Sequence, residues 1–231
     1  MMNKLYKLEC ILLSISVTLA IFTGVIFFFS TDYSYYHDKI IDNKVSDKTN
    51  ISNDDLFRLS DALIDYLTKD DIDLNIVVDK NDVKIQAFSD NEIVHMRDVK
   101  VLFNILKITM IISFIMSIAF IIHMFYKKDR RKESLRNFSF MFVRCSLLFI
   151  VCVVIIAGFA LTDFNRFWNL FHELIFTNDL WLLPSSSIMI SICSLDVFST
   201  LVFNSLIVAF IIYIVVFCLC MRYTIKHHTY I

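Results

Sequence analysis

An α-helical integral membrane fold with four spans is what three observations predict. The 231-residue chain is 57% hydrophobic, with 23 Phe but only 2 Gly and 1 Pro, which is too apolar for an ordinary soluble domain. Its apolar residues gather into four long runs: Ile11–Phe29, Val101–Phe125, Phe138–Leu161 and Val197–Met221. Each is long enough for a hydrocarbon core of about 30 Å, which takes roughly 20 helical residues. The third observation is where Lys and Arg fall. Lys4 and Lys7 precede the first run. Lys127, Lys128, Arg130, Arg131, Lys132 and Arg136 lie between the second and third. Arg222 and Lys226 follow the fourth. Those three places share one side only if both termini are cytoplasmic.

The elements follow in order. Residues 1–10 form a cytoplasmic N-terminus and 11–29 the first span. That span is read as retained, because Phe27-Phe28-Phe29-Ser30 offers no small-residue cleavage site. Residues 30–100 form an extracytoplasmic α+β domain with 9 Lys/Arg against 16 Asp/Glu, a balance of −7. No basic face is available there for nucleic acid. Within it, residues 30–50 read as a linker or loosely held arm without a period. Tyr33, Tyr35 and Tyr36 are expected at the outer interface, where aromatic rings are enriched.

Asn53 reads as an N-cap, with Asp54 and Asp55 favourable in the first turn. Leu56, Leu59, Leu63, Ile64 and Leu67 recur at helical spacing, so the pattern predicts a helix over 54–68. Ile72–Val78 and Val83–Phe88 alternate around Lys80-Asn81-Asp82, a hairpin signal. Helix and hairpin are too few to bury a full core alone. Ser89 or Asp90 caps the next helix, which is predicted to run unbroken into the second span, 101–125. A basic cytoplasmic loop, 126–137, leads to the third span, 138–161. The outer loop 162–196 holds a short apolar helix from about Arg166 to Phe176, capped by Asp163-Phe164-Asn165 and read as interfacial or re-entrant. The fourth span, 197–221, and a cytoplasmic tail, 222–231, complete the chain.

Much chemistry is missing from this sequence. It has no P-loop, no dinucleotide fingerprint, no H-E-x-x-H and no G-x-S-x-G. No nucleotide, cofactor or metal is therefore expected, and no zinc spacing or disulfide framework exists among the six cysteines. The spans lack the buried carboxylates of an ion pathway. Two histidines remain, His95 and His172, each in a helix beside apolar residues at the level of the outer leaflet. Read singly, each is most simply an interfacial histidine bonded to a neighbour. Arg97, Lys100 and Arg166 are candidate anion contacts; the plainer reading is phospholipid phosphate at the outer interface, favoured for Arg166. Ser185, Ser186 and Ser187 read as loop residues.

Two segments carry a resemblance. His95-Met96-x-Asp98-Val99-Lys100, together with Phe171-His172-Glu173, Phe176, Asn178-Asp179 and Trp181, resembles the bacterial lipoprotein intramolecular transacylase family. The likeness in organisation covers nearly the whole chain. One departure is plain: members tend to carry an acidic residue and a second proline after the tryptophan, where this chain has Leu182-Leu183-Pro184-Ser185-Ser186-Ser187. The resemblance implies a cofactor-independent acyltransferase of the bacterial cell membrane. Its substrate would be a diacylglyceryl-modified lipoprotein. The sn-2 acyl chain would pass from the glyceryl oxygen to the cysteine α-amine, giving the N-acyl lyso form.

The absences fit that chemistry. Ester to amide is downhill and needs no nucleotide. An α-amine has a pKa of about 7.7–8.0 and lies within reach of an imidazole near 6.5. The expected roles put His95 as base and His172 as donor to the leaving oxygen or oxyanion, with the two roles exchangeable. Asp98 or Glu173 would orient a ring, Lys100 or Arg97 would hold developing charge, and Asn178, Asp179 and Trp181 would line the loop. Two rivals stand beside this reading. One is a non-enzymatic module whose acidic outer domain binds a partner. The other is a lipid hydrolase, which would release free fatty acid.

Overall fold

A computed structural model describes residues 4–126 and 131–228. Lys127, Lys128 and Arg130 of the predicted basic loop lie outside the described residues. Four long helices carry the four apolar runs: α1 (Lys4–Ser30), α5 (Asp90–Phe125), α6 (Arg131–Thr162) and α9 (Leu195–His228). Each is long and apolar enough to cross a membrane, and only 11–22% of its apolar window is buried within the chain. Many of their Ile, Leu and Val side chains are exposed, as lipid-facing side chains are, while most of their Phe rings are partly or fully covered. Between them lie α2 (Tyr33–Asp42), α3 (Val45–Thr49), α4 (Asn53–Thr68), β1 (Val77–Lys80), β2 (Val83–Gln86), α7 (Phe164–Ile175) and α8 (Ile188–Ile192).

The chain divides into two compact units. The first comprises Met1–Ile26, Lys107–Thr162 and Ser205–Ile231; the second comprises Phe27–Leu106 and Asp163–Asn204. In the first unit Phe22, Phe142, Ala209, Tyr213 and Cys220 form one buried cluster, and Cys10, Leu13, Met124 and Met141 another. The Tyr213 hydroxyl donates to Ser146 Oγ at 2.8 Å. The ring packs edge-on to Phe22 and tilted against Phe142 and Phe149, with centroids 5.3–5.8 Å away.

The second unit has a conventional apolar core. Leu56, Leu59 and Leu63 of α4 bury their stripe against Ile40, Val45, Ile51, Leu74, Val78, Phe88 and Met96, and against Ile188, Met189 and Ile192 of α8. Helix and hairpin alone fall short of a core, as expected, and α5 and α8 supply the missing side.

Residues 30–50 correct the linker expectation, because they hold two helices. Asp32 caps α2 by accepting from the Ser34 and Tyr35 amides. Tyr36 and Ile40, one helical turn apart, are buried. The apolar stripe is only two residues long and sits among charges, too thin to register as a period. Of the tyrosines, Tyr33 is exposed, Tyr35 half-buried and Tyr36 buried. Tyr33 donates to Asp65 at 2.6 Å, Tyr35 donates to the Val197 carbonyl at 2.6 Å, and Tyr36 is 8% exposed.

Two smaller corrections follow. The cap of α4 is Ser52, whose hydroxyl accepts from the Asp55 amide at 3.2 Å; Asn53 is the first helical residue. The hairpin is shorter than its alternation implied. Val77↔Gln86 through Lys80↔Val83 pair antiparallel, and Asn81 and Asp82 turn the chain with φ of 52° and 62°, both in the left-handed region that a tight two-residue hairpin turn requires. The Ile76 carbonyl still accepts from the Ala87 amide at 2.8 Å, and residues 72–75 leave the ladder. Asp73 accepts from the Asn75 amide at 3.0 Å, a local turn that competes with extended pairing.

At the head of α5 Ser89 and Glu92 make a reciprocal capping box. The Ser89 amide donates to Glu92 Oε2 at 2.6 Å, and the Glu92 amide to Ser89 Oγ at 3.4 Å. From there α5 runs 36 residues without a break, as the absence of Gly and Pro predicts.

Candidate functional site

Both predicted histidines fall in the second unit and meet there. His95 lies one turn beyond the capping box on α5. His172 lies in the last turn of α7, whose N-cap, Asp163, accepts from the Arg166 amide at 2.9 Å. The two imidazole centroids are 6.1 Å apart, with the rings inclined by 32°. His95 is 8% exposed and His172 7%. At that spacing a single reacting centre can touch both rings.

Aromatic side chains build the walls. Phe176 lies 5.3 Å from His95 and 5.5 Å from His172, so it touches both rings. Trp168 and Trp181 sit 4.8 and 4.9 Å from His172, and Phe171 sits 5.5 Å from it. Phe198 stacks on Trp168 at 4.7 Å.

The two rings differ in their hydrogen bonds. His172 Nδ1 is 2.7 Å from the Trp168 carbonyl oxygen. A carbonyl only accepts, so Nδ1 carries the hydrogen and donates. In the neutral ring, Nε2 then bears the lone pair. Burial pushes the His172 pKa below its usual 6.5, and the bond to Trp168 partly restores it. His95 Nδ1 is buried with no hydrogen-bond partner.

The other predicted residues separate into two groups. Asp98 is joined to the site's rim, accepting at Oδ2 from Asn178 Nδ2 at 2.9 Å. Asn178 in turn accepts from the Leu180 amide at 3.0 Å, which shapes the turn into Trp181. Asp179 is exposed and its carbonyl accepts from the Leu182 amide at 3.1 Å. The second group is engaged elsewhere or exposed. Lys100 donates to the Lys69 carbonyl at 2.8 Å and lies 4.7 Å over the Tyr66 ring. Arg97 and Glu173 are exposed. Among the described residues no carboxylate hydrogen-bonds either imidazole, and no group of three His, Cys, Asp or Glu is placed to hold a metal.

Sequence reading missed two features. The Trp168 carbonyl is the partner that sets the His172 tautomer; its i−4 position on the same helix was the available signal. Ser187 is also more than loop: its hydroxyl caps α8, accepting from the Ile190 amide at 3.1 Å, and donates to Glu92 Oε1. Nothing local marks a partner 95 residues away.

Four apolar helices of spanning length define a multi-pass membrane protein, in which two buried imidazoles stand together within aromatic walls. The family model described as lipoprotein intramolecular transacylase Lit matches residues 11–198, and the chain belongs to that family. It is therefore an acyltransferase of lipoprotein maturation, and the non-enzymatic reading is set aside. No curated protein matches. Among solved structures, the membrane-integral lipoprotein intramolecular transacylase Lit from Bacillus cereus is similar with a TM-score of 0.75 and 21% identity, over 99% of this chain and 99% of that one. Two variants of that protein, each with one histidine replaced, also match. The arginine variant has a TM-score of 0.70 at 19% identity, over 97% of this chain and 94% of that one. The alanine variant has a TM-score of 0.70 at 20% identity, over 97% and 96%. These likenesses show the fold.

Proposed function

We propose that the acyl transfer runs between His95 and His172, and that it moves the sn-2 chain of a diacylglyceryl-cysteine to the cysteine α-amine. The observation that carries this is the imidazole pair itself: two buried rings, 6.1 Å apart, one with a defined lone pair. His172 Nε2 accepts the proton of the α-amine as the amine attacks the ester carbonyl. The resulting imidazolium is held by the Trp168 carbonyl at Nδ1 and by the π-faces around it. His95, whose Nδ1 has no protein partner, donates a hydrogen bond to the oxyanion, and the His172 imidazolium returns its proton to the glyceryl oxygen as the C–O bond breaks and the amide C–N bond is kept. This exchanges the roles expected from sequence, and the support is the Nδ1–H bond of His172. Substrate amine and ester share one molecule, so positioning accounts for much of the rate.

Asparagine substitutions test the roles, because an amide donates as His95 would but cannot serve as the base. The readout is mass spectrometry of a diacylglyceryl lipopeptide's N-terminus. His95→Asn is expected to keep a residual conversion that His172→Asn loses. The opposite order would return the base to His95.

The membrane placement is part of the same proposal. Both termini and the loop 126–137 are cytoplasmic, the spans are 11–29, 101–125, 138–161 and 197–221, and residues 30–100 and 162–196 lie outside. The support is the Lys/Arg distribution. Acyl chains of a lipoprotein occupy the outer leaflet, so the histidines belong at that depth. In α7, Leu170, Leu174 and Ile175 are exposed at 42%, 75% and 44%, which suits a helix lying in the interface. Arg97 and Arg166 there contact phospholipid phosphate. Impermeant thiol labelling of single cysteines at Asp79 and at Lys132 tests the orientation; only the first is expected to react from outside.

A further inference from the structure

The connection between α7 and α8, residues 176–187, is tied to α5 at both ends. At one end Asn178 Nδ2 donates to Asp98 Oδ2 at 2.9 Å. At the other, Ser187 Oγ donates to Glu92 Oε1. Glu92 is 4% exposed, and its second oxygen takes the Ser89 amide at 2.6 Å and the Ser89 hydroxyl at 2.7 Å. Glu92, His95 and Asp98 follow one another at intervals of three along α5, which keeps them on one face of the helix. His95 therefore stands between two carboxylates, each holding an end of the same connection. Phe176, which touches both imidazoles, opens that connection, and Trp181, 4.9 Å from His172, lies within it.

Neither carboxylate is a proton carrier in the reaction as read above, since neither hydrogen-bonds an imidazole. We infer that Glu92 and Asp98 are positioning residues for the transfer, two tethers that keep Phe176 and Trp181 closed on the imidazoles. The inference rests on the reading of His95 and His172 as the reacting pair. A charged acceptor makes each bond stronger than a neutral one. Loss of one tether lets the walls move relative to the rings, and misplacement near 1 Å is enough to slow a reaction substantially.

The Asp98 tether can be broken and remade by charge. Asn178→Asp puts two carboxylates face to face. At pH 8 both are ionised and the tether opens. As pH falls one takes up a proton, donates to the other, and the tether closes. The double exchange D98N/N178D restores one amide and one carboxylate, with the Leu180 amide still accepted at position 178.

The experiment uses the full-length protein in lipid nanodiscs with a diacylglyceryl lipopeptide, following kcat and KM. Asn178→Asp is expected to lower kcat about tenfold at pH 8, as the loss of one charged hydrogen bond would, with little change in KM. Its kcat relative to the unsubstituted protein should rise as pH is lowered toward 5.5. D98N/N178D should return most of the loss. An exchange that restores nothing, a ratio flat across pH, or a change confined to KM overturns the inference. Should Asn178→Asp not fold, Glu92→Gln against Glu92→Ala tests the other tether, and equal kcat in those two is the overturning result. A His172→Ala control separates the two readings. Activity surviving in it removes the site itself, whereas activity lost in it but unrestored by the exchange removes the tethers alone.

Discussion

In the unit that holds most of the apolar helical length, the packed interior is aromatic and sparse. Phe22, Phe142 and Phe149 gather around Tyr213, and one hydroxyl pair, Tyr213 to Ser146, is buried among them. In the other unit, α4, the hairpin and α8 share a dense aliphatic core, and the polar groups beside it are the imidazoles and two tethering carboxylates. The solvent explains the contrast. Lipid is as apolar as leucine, so helices in it gain little from hiding apolar surface and rely on close packing and a few hydrogen bonds. On the membrane placement proposed above, much of the other unit meets water, where each apolar side chain it covers is a gain. The two histidines stand beside that aliphatic core, of which Met96, next to His95, is a member.

The comparison breaks most sharply at the imidazoles. Replacing His172 by Ala should reduce lipopeptide conversion about a thousandfold, within the range for removing a general base, while leaving the thermal midpoint near that of the unsubstituted protein. A comparable loss of folding would instead make the histidine structural. Next in size is the aliphatic core. Leu59 is fully buried, and Leu59→Ala should cost about 2–5 kcal/mol, read as an earlier unfolding midpoint for the water-facing unit.

Acid sharpens the contrast further. The folded-state pKa of His172 lies below its ordinary value because burial disfavours the charged ring. The folded state then binds this proton less readily than the unfolded one. Its contribution to stability is complete above about pH 6.5 and is lost as pH falls through the folded value. Midpoints measured between pH 8 and 5 should decline on the acid side, and His172→Gln should decline less. The smallest effect belongs to the lipid-facing unit. Tyr213→Phe removes the bond to Ser146 and should cost only about 0.6 kcal/mol, typical of such bonds between membrane helices; a steric-trapping measurement in bicelles would resolve it.

Local pattern carried far in this chain. The capping box Ser89/Glu92, the helix over 54–68 and the Asp163 cap are each written within a few residues, because the donors and acceptors involved are neighbours along the backbone. Local pattern failed where local and distant forces compete. Asp73 turns its own backbone away from the ladder, and α2 shows only Tyr36 and Ile40 as apolar marks, with the partners that bury them located on other elements. Lys100 illustrates the same limit at the site. Its charge near the outer boundary suggested an anion contact, yet the carbonyl of Lys69 and the face of Tyr66 take it.

What the sequence determined by itself was the four helices, from run length against bilayer thickness; His95 and His172 it offered only as candidates, each read alone as an interfacial residue. Tertiary structure alone decided that His95 and His172 stand 6.1 Å apart, and that Glu92 and Asp98 hold the connection carrying Trp181. Helix length and capping follow from interactions within a turn or two of chain. A meeting of groups 77 or 95 positions apart depends on how α5, α7 and α8 pack, and no local periodicity encodes that.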